Sequence, residues 1–181
     1  MSTDIVEIFN RKYDAEIIKI APKKREEILR SAELFICKKF ADKFSLDGGK
    51  LSEINLAVAQ SLLETFVRDK AAKNMQGSML RIDLSIYVGA LEDFKEYINA
   101  NFPSYELLEA FWLQQALTCV CNAFSASTKV LKTYLIGELC ENLYIDNKTA
   151  SAVIDELKNR RYIDIYGKQR GQELIIRKTN K

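Results

Sequence analysis

Reaction chemistry in this chain has to begin without histidine, which is absent from all 181 residues. The lack of imidazole removes the usual general base near neutral pH and the commonest metal ligand. Serine or cysteine nucleophiles activated by histidine are therefore excluded, as are zinc sites that require an imidazole nitrogen. Glu92, Asp93 and Glu96 fall within about one helical turn, as an acid/base pair or metal cluster would, but Lys95 lies between them and a solvated acidic face is the expectation. Gly48, Gly49 and Lys50 lack the leading glycine and the following hydroxyl residue of a phosphate-binding loop. Cys37, Cys119, Cys121 and Cys140 contain no CxxC pair, so buried reduced thiols are expected in place of a Cys-only zinc site. The chain is thus read as no enzyme, with no metal and no cofactor.

What remains is the chemistry of binding a polyanion. The formal net charge of +2 conceals two regions of opposite sign. Residues 1–128 carry 16 basic and 18 acidic groups, whereas residues 129–181 carry 11 and 7, and Lys158 to Lys181 alone hold 8 against 2. A basic end on a near-neutral body suggests a partner rich in phosphate. The first ten residues are polar and acidic, and no stretch approaches the roughly 20 apolar residues of a membrane span. A soluble cytoplasmic protein is expected, nuclear in a eukaryote, with no membrane partner.

The elements that position these groups follow from sparse punctuation, since only 2 residues are Pro and 7 are Gly while 48% are apolar. Long helices and a real core are favoured. The spacing predicts an amphipathic helix from Asp4 to Ile20 with Thr3 as its cap, a second from Pro22 to Phe44, and a third opened by Ser52 and Glu53 and ended by Gly77. Asp47, Gly48 and Gly49 separate the last two. From Leu80 to Val88 apolar residues alternate as in a strand, yet Ile82, Ile86, Ala90, Phe94 and Ile98 also recur every four residues. One helix from Ser78 to Asn99 is preferred, because a lone strand has no obvious partner. Pro103 stops it, and Ser104 caps a largely apolar helix through Phe124 whose Trp112 belongs to the core. The break at Phe102 and Pro103 divides a helical region, 1–103, from a second domain, 104–181.

In that second domain a brief strand over Lys129–Lys132 precedes a short helix, Tyr134 to Asn142, capped by Thr133. A turn through Tyr144, Ile145 and Asp146 leads to a helix from Asn147 to Arg161, whose Ala150, Val153, Ile154 and Leu157 form one buried stripe. Tyr162–Tyr166 and Glu173–Arg177 read as two strands around a tip at Gly167–Gly171. Tyr162 and Tyr166 share a strand face that could stack on a partner, but packing under the hairpin is the expectation.

This order, carried by YLIGELCENLYIDNKTASAVIDELKNRRYIDIYGKQRGQELIIRK and the helix before it, resembles the winged helix-turn-helix superfamily over about residues 104–178. The fold class expected is mainly α, with an N-terminal helical region followed by a C-terminal winged helix that bears a small antiparallel β-hairpin. The resemblance implies a recognition helix in the major groove of duplex DNA. On it, Asn147, Lys148, Thr149, Ser151, Ala152, Asp155 and Lys158 lie opposite the buried stripe, with Arg160 and Arg161 at its end. Lys168, Gln169 and Arg170 at the wing tip, and Lys178 beyond it, would reach phosphates or the minor groove. Asp155 and Glu156 oppose phosphate binding. Two functions follow: a DNA-binding regulator or replication or mobile-element accessory factor, whose N-terminal helices form a homodimer, sense a signal or serve as a scaffold, or a subunit that uses a winged helix to bind a protein partner.

Overall fold

The computed structural model describes residues 14–17, 20–41, 53–75, 77 and 79–178. The chain is mainly helical with a small three-stranded antiparallel sheet at its C-terminal end. Its described residues fall into two compact units, one from Met1–Leu51 with Val58–Leu108, the other from Ser52–Ala57 with Glu109–Lys181.

In the first unit, strand β1 (Asp14–Ile17) pairs in parallel with β2 (Met79–Ile82), Asp14 opposite Met79 and Ile17 opposite Ile82. Both strands correct the helical expectation. Asp14–Ile17 lies inside the segment read as helix 4–20, whose remaining turns and cap fall outside the described residues. The strand at 79–82 finds its partner more than 60 residues away in sequence, beyond the reach of local periodicity. Leu80 and Ile82 are buried, which satisfies the period-two pattern.

Helix α1 (Pro22–Lys39) begins with Pro in its first turn and ends with Lys38 and Lys39 near the negative pole of the helix dipole. Helix α2 (Glu53–Lys73) is followed at Gly77 by a left-handed residue with φ of 92°. Helix α3 (Leu84–Asn101) starts at Asp83, whose carboxylate accepts the N–H of Ile86 at 3.0 Å. Ala32 and Ile36 of α1 and Tyr87, Ala90, Phe94 and Ile98 of α3 are buried, and Phe35 meets Phe94 edge-on. Gln60, Ser61, Glu64, Thr65 and Asp69 of α2 are buried as well. Glu64 explains its own position: one oxygen accepts from Arg25 at 2.6 Å and from the Tyr87 hydroxyl at 2.7 Å, so the desolvated charge is paired and hydrogen-bonded. Burial, together with the neighbouring Glu64 charge, pushes the Tyr87 phenol well above its ordinary range.

Helix α4 (Tyr105–Ala123) carries the division between the units, which lies between Leu108 and Glu109. In the second unit it contributes Trp112, Ala116, Cys119, Val120 and Ala123 to the core. Strand β3 (Lys129–Leu131) runs directly into α5 (Lys132–Leu143), and α6 (Asn147–Asn159) leads to β4 (Ile163–Gln169) and β5 (Gln172–Arg177). The sheet order is β3-β5-β4, so the last strand in sequence lies in the middle. Leu131 precedes α5 without a side-chain cap, and Thr133, expected as that cap, instead donates its hydroxyl to Gln172 Oε1 at 2.8 Å. Only Cys119 of the four thiols is buried, while Cys121 is exposed, contrary to the expectation of four buried cysteines.

Candidate nucleic-acid interface

The connection from α5 to α6 is three residues long, and each has a distinct job. Tyr144 ends α5 in the left-handed region with φ of 56°, its N–H donating to the Cys140 carbonyl. Ile145 is buried and anchors the turn. Asp146 caps α6 by accepting the N–H of Thr149 at 2.7 Å. Asp followed by an apolar-periodic run is a cap signal legible in sequence, although the segment reads equally well as a plain turn.

Helix α6 buries the expected stripe of Ala150, Val153, Ile154 and Leu157 and adds Thr149. Burying each of the larger aliphatics stabilises the helix on its base by roughly 1.5–3 kcal/mol. Thr149, expected on the outward face, is 4% exposed and leaves the contact set. Its position next to Ala150 places it at the margin of the stripe, where a threonine methyl can join the core. Asn147 and Lys148 are exposed, Ser151 and Ala152 are half-buried, and Asn147 accepts a hydrogen bond from the Cys140 thiol at 3.3 Å.

The helix ends on a pair of crossed backbone bonds. The N–H of Arg161 donates to the Lys158 carbonyl and that of Tyr162 to the Leu157 carbonyl, the arrangement that usually places glycine in the left-handed residue. Here that residue is Arg161, with φ of 65°. The hairpin tip repeats the choice: Arg170 has φ of 50° and Gly171 has φ of 78°. The tip is tighter than Gly167–Gly171, since β4 continues through Lys168 and Gln169 and the turn consists of Arg170 and Gly171.

The carboxylates of this region are occupied within the protein. Between Tyr144 and Lys178 there are five acids and eight bases. Asp146 is the α6 cap, Asp155 and Glu173 both meet Lys132, Glu156 meets Arg160 at 2.8 Å, and Asp164 meets Lys178 at 3.3 Å. Arg160 also reaches Glu109 at 2.6 Å, which ties the end of α6 to α4. The N–H of Ile165 and the Lys178 ammonium hold the Asp164 carboxyl below the usual carboxylate range, and Lys158 adds to that field. Lys168 stands opposite Glu173 in the strand register, but the glutamate is bridged to Lys132. Lys148, Lys158, Arg161, Lys168, Arg170 and Arg177 are exposed and form no ion pair with a described residue. Arg177 was absent from the sequence-derived set, because a basic residue at the end of an apolar strand gives no directional signal. Arg160 and Lys178, by contrast, spend their charge on internal pairs.

The acidic trio of α3 is likewise a surface feature: Glu92 meets Lys95 at 3.0 Å and Asp93 meets Lys70 at 3.3 Å. Among the described residues no cluster of Cys, Asp or Glu is arranged to hold a metal ion, and no helix is long and apolar enough to cross a membrane. Comparison with protein-family models, with curated proteins and with solved structures finds no match to this chain.

Proposed function

We propose that this is a DNA-binding protein in which residues 104–178 act as a winged helix, presenting α6 and the β4–β5 hairpin to duplex DNA. The element order and the β3-β5-β4 sheet support the superfamily reading. One observation carries the function: the acids between Tyr144 and Lys178 are engaged in a cap or ion pairs, whereas six cations on the same elements are exposed without an ion pair to a described residue. Lys132 and Arg160 offset part of the charge of Asp155 and Glu156, each cation being shared with a second carboxylate, Glu173 and Glu109 respectively. Of the residues assigned from sequence, Lys148, Lys158, Arg161, Lys168 and Arg170 remain the principal phosphate contacts, joined by Arg177. Asn147 and Ser151 stand where the N-terminal half of α6 would face base edges. Gln169 borders these groups, and Lys178 acts indirectly through its pair with Asp164.

Titration of a blunt duplex with the full chain at increasing salt tests the reading. Neutralising about six phosphates gives a log K against log salt slope of about −5.4, from about −0.9 for each contact. Absent binding, or binding indifferent to salt, refutes it and favours the protein-partner alternative.

A further inference from the structure

The outward face of the C-terminal sheet carries a feature that duplex docking does not use. Val130, Ile175 and Ile165 lie side by side across the three strands, and the burial of Val130 and Ile175 turns that row toward the helices. The rows on either side, Lys129 with Ile176 and Leu131 with Leu174, therefore point away from them. A register shift between Ile165 and Gly167 leaves Tyr166 as the extra residue of a bulge. Tyr166 is 59% exposed, which corrects the expectation that it packs under the hairpin. The Lys129 ammonium lies 3.5 Å from the centre of its ring and fixes the ring to the outward face. Gly167, opposite Leu174, adds no side chain beside it.

An exposed aromatic ring with a lysine ammonium over its face matches what an unpaired nucleotide requires: a flat surface for the base and a positive charge for its phosphate. We propose that Tyr166 and Lys129 form a stacking site for an unpaired base. The base takes the ring face, and the displaced Lys129 ammonium moves to the adjoining phosphate. This rests on the nucleic-acid reading above and adds a preference for single-stranded or frayed DNA at the hairpin.

The test uses the full chain with two probes, a thymine single strand bearing one 2-aminopurine and a blunt duplex. Tyr166→Ala is expected to weaken single-strand binding about tenfold and abolish fluorescence quenching of the 2-aminopurine, with duplex affinity unchanged. Tyr166→Phe keeps both properties, and Lys129→Ala makes the single-strand salt slope shallower by about 0.7. The stacking site is overturned on its own if duplex binding persists while Tyr166→Ala leaves single-strand affinity and quenching intact. Equal loss on both probes also overturns it, since the ring would then only shape the hairpin. A wild-type chain that binds neither probe overturns both readings together.

Discussion

Arg170 occupies a backbone conformation that its own side chain disfavours, and this makes it a sharp place to separate stability from binding. Two consecutive left-handed residues, Arg170 and Gly171, form the hairpin turn, the pattern of a type I′ turn that favours Asn, Asp or Gly at its first position. A residue with a Cβ costs on the order of 1 kcal/mol or more there, less for Asn. Arg170→Asn is therefore expected to stabilise the protein by about 0.5–1 kcal/mol. For a chain of this size that raises Tm by roughly 1–4 °C. The same change removes a charge from the tip. One phosphate contact fewer makes the salt slope of duplex binding shallower by about 0.9 and weakens binding evenly across sequences. Thermal melting and fluorescence anisotropy at several salt concentrations read the two effects separately. Arg170→Lys keeps the charge and the strain, so both slope and Tm stay near wild type. A lower Tm for Arg170→Asn refutes the strain argument, and an unchanged slope refutes the tip as a phosphate contact.

Two further perturbations address the scaffold. Leu157 is fully buried on α6, and Leu157→Ala is expected to cost about 2–5 kcal/mol in urea unfolding; a loss well under 1 kcal/mol would mean that α6 does not rest on this stripe. Asp83→Ala removes the α3 cap and is expected to cost about 0.5–1 kcal/mol near pH 7, the low end of the capping range because the carboxylate is exposed. Hydrogen bonds from the Ser85 hydroxyl and the Ile86 N–H depress the folded-state pKa of Asp83. Its contribution is thus complete above the unfolded pKa of about 3.9 and is lost as pH falls through the folded value. The Tm gap between wild type and Asp83→Ala should narrow below about pH 4, and a gap that stays constant into acid would count against the linkage.

How far the sequence could be read depended on whether a signal was local. The α6 stripe at Ala150, Val153, Ile154 and Leu157 was legible because one helix face needs only its own spacing. The hairpin was legible because its strands adjoin in sequence, although its tip was drawn too long. Strands β1 and β2 were not, because pairing Asp14 with Met79 is a distant event and a four-residue repeat can also satisfy a period of two. Thr149 misled because the margin of a buried stripe is set by the neighbouring elements. Tyr166 misled because a bulge interrupts the alternation that would have turned it inward. The pairing of Asp155 with Lys132 at 3.6 Å was hidden from a charge count because the two residues stand on different helices.

The position of β5 between β3 and β4 also sets an order of assembly. Synthesis delivers the two outer strands first and the one that joins them last, so neither outer strand has a partner in this sheet until the residues through Arg177 have emerged. Until then the nascent chain exposes the apolar faces of Val130 and Ile163, and a translation product cut short before Gln172 has no sheet to complete. The sheet of the second unit therefore closes as a single event, when its central strand takes its place between two strands made before it.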